Sequence, residues 1–116
     1  MGNFVEAGKV GEFKEGMKKQ VLVEGREILL ARVGGKFYAV SNRCPHMGGE
    51  LAAGQLKGTV ITCPLHGSQF DITDGRNIRW LKSSGFLSAV SKAIKPPRPL
   101  PVYNVRIDGE AILVEV

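Results

Sequence analysis

Glu27-Ile28-Leu29-Leu30-Ala31-Arg32-Val33-Gly34-Gly35-Lys36-Phe37-Tyr38-Ala39-Val40-Ser41 reads as two strand-prone apolar runs joined by a pair of glycines. Two glycines tolerate positive φ at both central positions of a tight turn, so the stretch predicts a β-hairpin. Upstream, Gln20 to Val23 reads as a further strand, joined to the hairpin by Glu24-Gly25-Arg26. Downstream, Thr59 to Thr62 is β-branched and apolar and runs directly into Cys63. Near the end of the chain, Val102 to Ile107 and Ala111 to Val116 flank Asp108-Gly109, a strong hairpin signal. Within Val102 to Ile107 two sets of residues alternate, Val102, Asn104 and Arg106 against Tyr103, Val105 and Ile107, as in a strand with one wet face. Short strands at close spacing predict an all-β fold, an antiparallel β-sandwich or small barrel. The exception is Trp80 to Lys95. Ser83-Ser84 can cap a helix, Phe86, Leu87, Val90 and Ile94 follow at helical spacing, and Pro96-Pro97 stops it. A short amphipathic helix is expected there, its apolar stripe packed on the sheet.

Two chelate-like motifs stand between the central hairpin and the C-terminal one. Cys44-Pro45-His46 and Cys63-Pro64-Leu65-His66 use both cysteines and both histidines of the chain, in the spacing C-x-H-x16-C-x-x-H. A fold that brings the motifs together presents two sulfur and two nitrogen ligands, a set that suits zinc or an iron–sulfur cluster. Zinc fingers and ribbons usually pair like residues within an arm, whereas here each arm mixes Cys and His. The mixed arms let two loops approach a metal centre from one side.

At 116 residues the chain has the size of one domain, 1–116, with a modest core that a metal cross-link would stiffen. No apolar run is long enough for a transmembrane helix. Met1-Gly2-Asn3-Phe4-Val5-Glu6 lacks the apolar stretch of a secretory signal, and Glu6 stands where a myristoylation site wants Ser or Thr. A cytoplasmic location is expected, where a structural disulfide is disfavoured. The net charge of +5 has one source. Residues 76–98 hold six bases (Arg76, Arg79, Lys82, Lys92, Lys95 and Arg98) and no acid, leaving ten bases and eleven acids elsewhere. Such a segment either docks an acidic protein or an anionic membrane surface, or is solvated surface. With one aromatic pair (Trp80 and Phe86) and no recognised motif, a nucleic-acid partner is not expected.

At the ligand motifs the chain resembles a Rieske-type ferredoxin. Cys44-Pro45-His46-Met47-Gly48-Gly49 is similar to that family's first cluster loop. Cys63-Pro64-Leu65-His66-Gly67-Ser68-Gln69-Phe70-Asp71, with the trailing Thr73-Asp74-Gly75 turn, is similar to its second. Pro99-Leu100-Pro101-Val102-Tyr103 and the last hairpin resemble the family's return to the base sheet. The segment Arg79 to Lys95 is longer than the connection usual at that place, so an inserted basic segment of about 79–96 follows cluster loops of about 43–71.

The resemblance implies one [2Fe-2S] cluster per chain, with Cys44 and Cys63 on one iron and His46 and His66 on the other. Two ferric ions, two sulfides and two thiolates sum to a neutral oxidised centre, and a neutral centre accepts an electron more readily than the dianionic four-cysteine kind. The established range for centres of this class is about −150 to +300 mV, against about −400 mV for plant-type ferredoxins. High-potential relatives brace the loops with a disulfide. Its positions are Gly49 and Leu65 here, so the brace is absent. Those relatives also aim a serine and a tyrosine hydroxyl at the cluster sulfurs. Ser68 keeps the first donor and Phe70 lacks the second, which predicts a potential below the respiratory members. Gly48, Gly49 and Gly67 let backbone N–H groups approach sulfide, and Met47 and Leu65 shield the cluster. The outer edges of His46 and His66 form the electron exit, and their outer protons make the potential fall as pH rises in the alkaline range. The implied activity is one-electron transfer from a reductase to an acceptor oxidoreductase such as an oxygenase. Both histidines are used by the cluster, leaving none for a catalytic iron site, so the chain is an electron carrier rather than an enzyme. The alternatives are a small subunit similar to that of assimilatory nitrite reductase and a zinc-stabilised interaction module.

Overall fold

The computed structural model describes residues 2–45, 49–65, 67–79 and 99–116. Among these residues the regular structure is eleven β-strands and two single-turn 3-10 helices. The strands are β1 (Phe4–Lys9), β2 (Lys18–Val23), β3 (Arg26–Val33), β4 (Lys36–Ser41), β5 (Gln55–Lys57), β6 (Val60–Thr62), β7 (Gln69–Asp71), β8 (Asn77–Arg79), β9 (Val102–Tyr103), β10 (Val105–Asp108) and β11 (Ala111–Glu115). They form three sheets, β1-β11-β10, β2-β3-β4-β9 and β5-β6-β7-β8, and every pairing is antiparallel. The helix expected over Trp80 to Lys95 lies outside the described residues.

β3 organises the molecule. Side chains alternate across a strand, so successive residues enter opposite faces. Ile28 and Leu30 enter one core with Phe13, Val23, Ala39, Ile112 and Val114. Leu29 and Ala31 enter a second core with Val40, Leu51, Ile61, Phe70, Ile72, Leu100 and the two cysteines. Both faces of β3 are therefore covered, which explains why its centre is a continuous apolar run rather than an alternating one. The first core joins β3 to the base sheet of β1, β11 and β10, and the second joins it to the sheet that carries Cys63.

The hairpin of β3 and β4 forms as expected. Val33 pairs with Lys36, and Gly34 and Gly35 take φ values of 63° and 76°. The Glu15 carboxylate accepts the N–H groups of Gly34 at 2.5 Å and Gly35 at 3.0 Å, which close this turn. Those two bonds hold the Glu15 carboxyl below its ordinary pKa.

The structure corrects three details. The turn before β3 is the two-residue Glu24-Gly25, with φ of 49° and 81°, because Arg26 already pairs with Val23. The last hairpin turns at Gly109-Glu110, since Asp108 pairs with Ala111. The single strand expected over Val102 to Ile107 is two: β9 pairs with β4, whereas β10 pairs with β11 in another sheet. Asn104 is the crossing point. Its carbonyl accepts Glu115 N–H at 2.9 Å, and its Nδ2 donates to Glu115 Oε1 at 2.8 Å. Strands that change sheets form the corners of packed sheets, and an amide side chain satisfies the polar groups that the change frees.

Candidate metal centre

Cys44 lies three residues beyond β4. Its N–H donates to the Gly49 carbonyl at 2.9 Å, and Arg43 bridges Glu50 just outside that bond. Cys63 follows β6 directly. Its N–H donates to the Ser68 carbonyl at 2.7 Å, and Thr62 pairs with Gln69 outside it. Each loop is thus closed in the same way, by its cysteine N–H on the carbonyl five residues later. Gly67 has φ of 75°, and its N–H returns to the Cys63 carbonyl at 3.1 Å, which tightens the second loop.

The two loops touch. A methyl group placed on Gly49 would lie 2.9 Å from Cys63 Sγ and 3.0 Å from Leu65 Cδ1. Glycine is required there because another side chain would displace the thiol. The two positions at which a brace is absent, Gly49 and Leu65, are accordingly face to face. Cys44 and Cys63 form no disulfide, and each is 2% exposed in one apolar core. Ser68 and Phe70 beside them are fully buried, whereas Leu65 is 57% exposed at the outside of the second loop. His46, Met47, Gly48 and His66 lie outside the described residues. Two buried thiols on adjoining loops are a sulfur pair that could hold an iron–sulfur centre, with the Gly49 backbone packed closely against Cys63 Sγ.

Side-chain contacts that the sequence reading did not identify hold these loops in place. Arg43 donates through Nε to Glu27 Oε2 at 2.8 Å and through Nη2 to Glu27 Oε1 at 2.9 Å, a two-point clamp on β3. The hydrogen-bonded Arg43 guanidinium holds the Glu27 carboxyl below its ordinary pKa. Asn42 is fully buried, and its Oδ1 accepts Ala52 N–H at 2.8 Å. The second loop is backed by the Asp71 turn. Asp71 Oδ1 accepts Thr73 Oγ1 at 2.6 Å and Thr73 N–H at 2.9 Å, and Arg76 Nη2 stands 3.4 Å from Oδ2. Burial pushes the Asp71 carboxyl up, but these partners, with a hydrogen bond from Thr59, outweigh it and leave the group below its ordinary pKa. A buried Asn and an exposed Glu–Arg pair look ordinary in sequence, and only the contacts reveal them.

The Rieske [2Fe-2S] domain family matches residues 3–90. The ferredoxin component of the naphthalene 1,2-dioxygenase system of Pseudomonas aeruginosa is 32% identical over 113 residues, covering 97% of this chain and 95% of that protein. Among solved structures, the ferredoxin of carbazole 1,9a-dioxygenase from Nocardioides aromaticivorans IC177 superposes with a TM-score of 0.79 at 28% identity, over 97% of this chain and 96% of that one. A chain in the complex of reduced oxygenase and oxidized ferredoxin of carbazole 1,9a-dioxygenase gives 0.77 at 26% identity, covering 97% and 92%. The cofactor is therefore a [2Fe-2S] cluster rather than zinc, and the chain belongs to the Rieske [2Fe-2S] domain family.

Proposed function

We propose that Cys44 and Cys63 bind one iron of the cluster and that His46 and His66 bind the other. The observation that carries this reading is the contact of the two loops, with Gly49 backed against Cys63 Sγ and both thiols buried in one core. When bound, the cluster supplies a one-electron couple. The chain holds the thiolates through loops closed on their own backbone, and Phe70, Leu51 and Ile61 exclude water from beneath them. Of the residues expected around the cluster, Gly49, Leu65, Gly67 and Ser68 belong to the two loops as described, and Met47 and Gly48 lie outside the described residues. Leu65 covers the Cys63 side from outside, packed on Gly49, and Ser68 is fully buried beside the second loop.

The chain is a one-electron carrier that takes an electron from a reductase and delivers it to an acceptor oxidoreductase. The acceptor fits the oxygenase component of an aromatic-ring dioxygenase system, as in the relatives named for naphthalene and carbazole dioxygenases. Among the described residues no helix is long and apolar enough to cross a membrane. A cytoplasmic setting agrees with two cysteines that are not joined in a disulfide.

The test is an EPR spectrum of the dithionite-reduced, anaerobically purified chain, together with acid-labile sulfide and iron content. A Rieske-type signal with two irons and two sulfides per chain is expected. Cys44→Ala and His66→Ala should abolish it; an intact signal in either variant refutes that ligand. Reduction by a dioxygenase-system reductase and reoxidation by its oxygenase, followed at the cluster absorbance, tests the carrier's place between them.

A further inference from the structure

Cys44 and Cys63 follow strands of different sheets, and besides the contact of Gly49 with Cys63 a short element links their roots. That element is the 3-10 turn Leu51–Ala53, which follows the first loop. At its first end stands Asn42, two residues before Cys44 and fully buried. Asn42 N–H donates to the Glu27 carbonyl at 3.0 Å, which fixes the residue to β3. Its carbonyl accepts Leu51 N–H at 2.8 Å, and its side-chain Oδ1 accepts Ala52 N–H at 2.8 Å. Both N–H groups belong to the first turn of a helix, where no intrahelical partner exists, so Asn42 supplies what the turn lacks. Lys18 Nζ holds the other side of the turn through the Ala52 carbonyl at 2.8 Å.

At the far end stands Gly54. A methyl group built there would fall 1.8 Å from the Thr62 carbonyl oxygen and 3.2 Å from the Leu51 carbonyl oxygen. Thr62 immediately precedes Cys63. The turn therefore abuts the strand that delivers the second thiol, at a separation that only glycine permits. Leu51, fully buried between these ends, packs in the same core as both cysteines.

We infer that the Leu51–Ala53 turn is a strut that sets the separation of Cys44 and Cys63, and that Asn42 and Gly54, which seat its ends, are positioning residues of the cluster. They touch no ligand atom in this reading; they act through the backbone of the two cysteines. Positioning of this kind tunes metal affinity by about 10–100-fold in other metal sites. The inference rests on the assignment of Cys44 and Cys63 as ligands.

The experiment uses the full chain carrying Asn42→Ala, Asn42→Asp or Gly54→Ala, with Gly11→Ala as control, since Gly11 has open space around it. Cluster lifetime under an iron chelator, EPR g-values and midpoint potential are compared with the native chain. Asn42→Ala and Gly54→Ala should lose the cluster at least about tenfold faster and shift the g-values. Asn42→Asp keeps an acceptor for Ala52 N–H, so it should hold the cluster longer than Asn42→Ala, at a lower potential because of its added negative charge. Native lifetimes, g-values and potentials in both Asn42→Ala and Gly54→Ala overturn the strut. Should those variants not fold, hydrogen exchange in the native chain decides. Protection of the Leu51 and Ala52 amides should fall when the cluster is stripped, and unchanged protection overturns the inference. Cys44→Ala, made alongside, separates the two failures. A retained cluster there defeats the ligand assignment, whereas a lost cluster with native-like Asn42 and Gly54 variants defeats the strut alone.

Discussion

Ser68 and Asp71 show how single side chains act on this site by different physics. Ser68 is fully buried between the second ligand loop and β7, with a hydroxyl that can stabilise added negative charge. One hydrogen bond of about 1 kcal/mol corresponds to roughly 40 mV for a one-electron couple, so Ser68→Ala should lower the midpoint potential by that order. Voltammetry checks it, and an unchanged potential removes Ser68 from the tuning. Asp71 acts on stability. Its folded pKa is lowered, so its contribution is complete above the ordinary carboxylate value of 3.8 and is lost as pH falls through the folded pKa. Asp71→Ala should destabilise the chain by about 2 kcal/mol at pH 7. The difference should shrink in acid melts as pH falls through the folded pKa, which lies below the ordinary 3.8. An equal deficit in acid would mean that the charge has no role.

At the scale of elements, two glycines with similar φ should behave differently. Gly35 has φ of 76° and open space around it, so Gly35→Ala meets only the conformational cost of the left-handed region, about 1 kcal/mol. Gly75 has φ of 78°, and a methyl group there would fall 2.0 Å from the Leu100 carbonyl oxygen. Gly75→Ala also breaks the seat of the return segment, where Leu100 N–H donates to the Gly75 carbonyl at 2.7 Å. Urea unfolding should show a loss at least about twofold larger for Gly75→Ala, with some 3 kcal/mol expected. The hairpins were legible because paired glycines and Asp-Gly are local signals. The division of Val102 to Ile107 into two strands was not, because the alternation is the same whether one sheet or two receive it. Asn104 changes the partner strand without changing the pattern.

At the scale of the whole molecule, the two faces of β3 assign different duties to neighbouring leucines. Leu29→Ala and Leu30→Ala should each cost about 2–5 kcal/mol, because both side chains are fully buried. Only Leu29 shares a core with Cys44 and Cys63, so only Leu29→Ala should also hasten cluster loss under chelator. Equal cluster lifetimes would show that the two cores are coupled. A docking role for the basic segment is an electrostatic proposal tested through salt. Neutralising Lys82, Lys92 and Lys95 together should slow electron transfer to an acidic partner at low ionic strength, with the effect vanishing at high salt. Rates that do not change at low salt return the segment to solvated surface.

The glycine turns and the β-branched runs made the fold class legible in the sequence, and the spacing C-x-H-x16-C-x-x-H marked the ligand set, because each is a local pattern of few residues; the spacing alone left zinc and an iron–sulfur cluster open, and the resemblance of the whole loops pointed to the cluster and the family. Tertiary structure alone decided how the loops meet. The contact of Gly49 with Cys63, the burial of Asn42 under Ala52 and the approach of Gly54 to Thr62 join residues whose separation along the chain carries no signal. They arise because β3 buries both of its faces, which packs the cluster-side sheet against one face of the β3 sheet while the base packs on the other, and glycine stands where backbones pass closely.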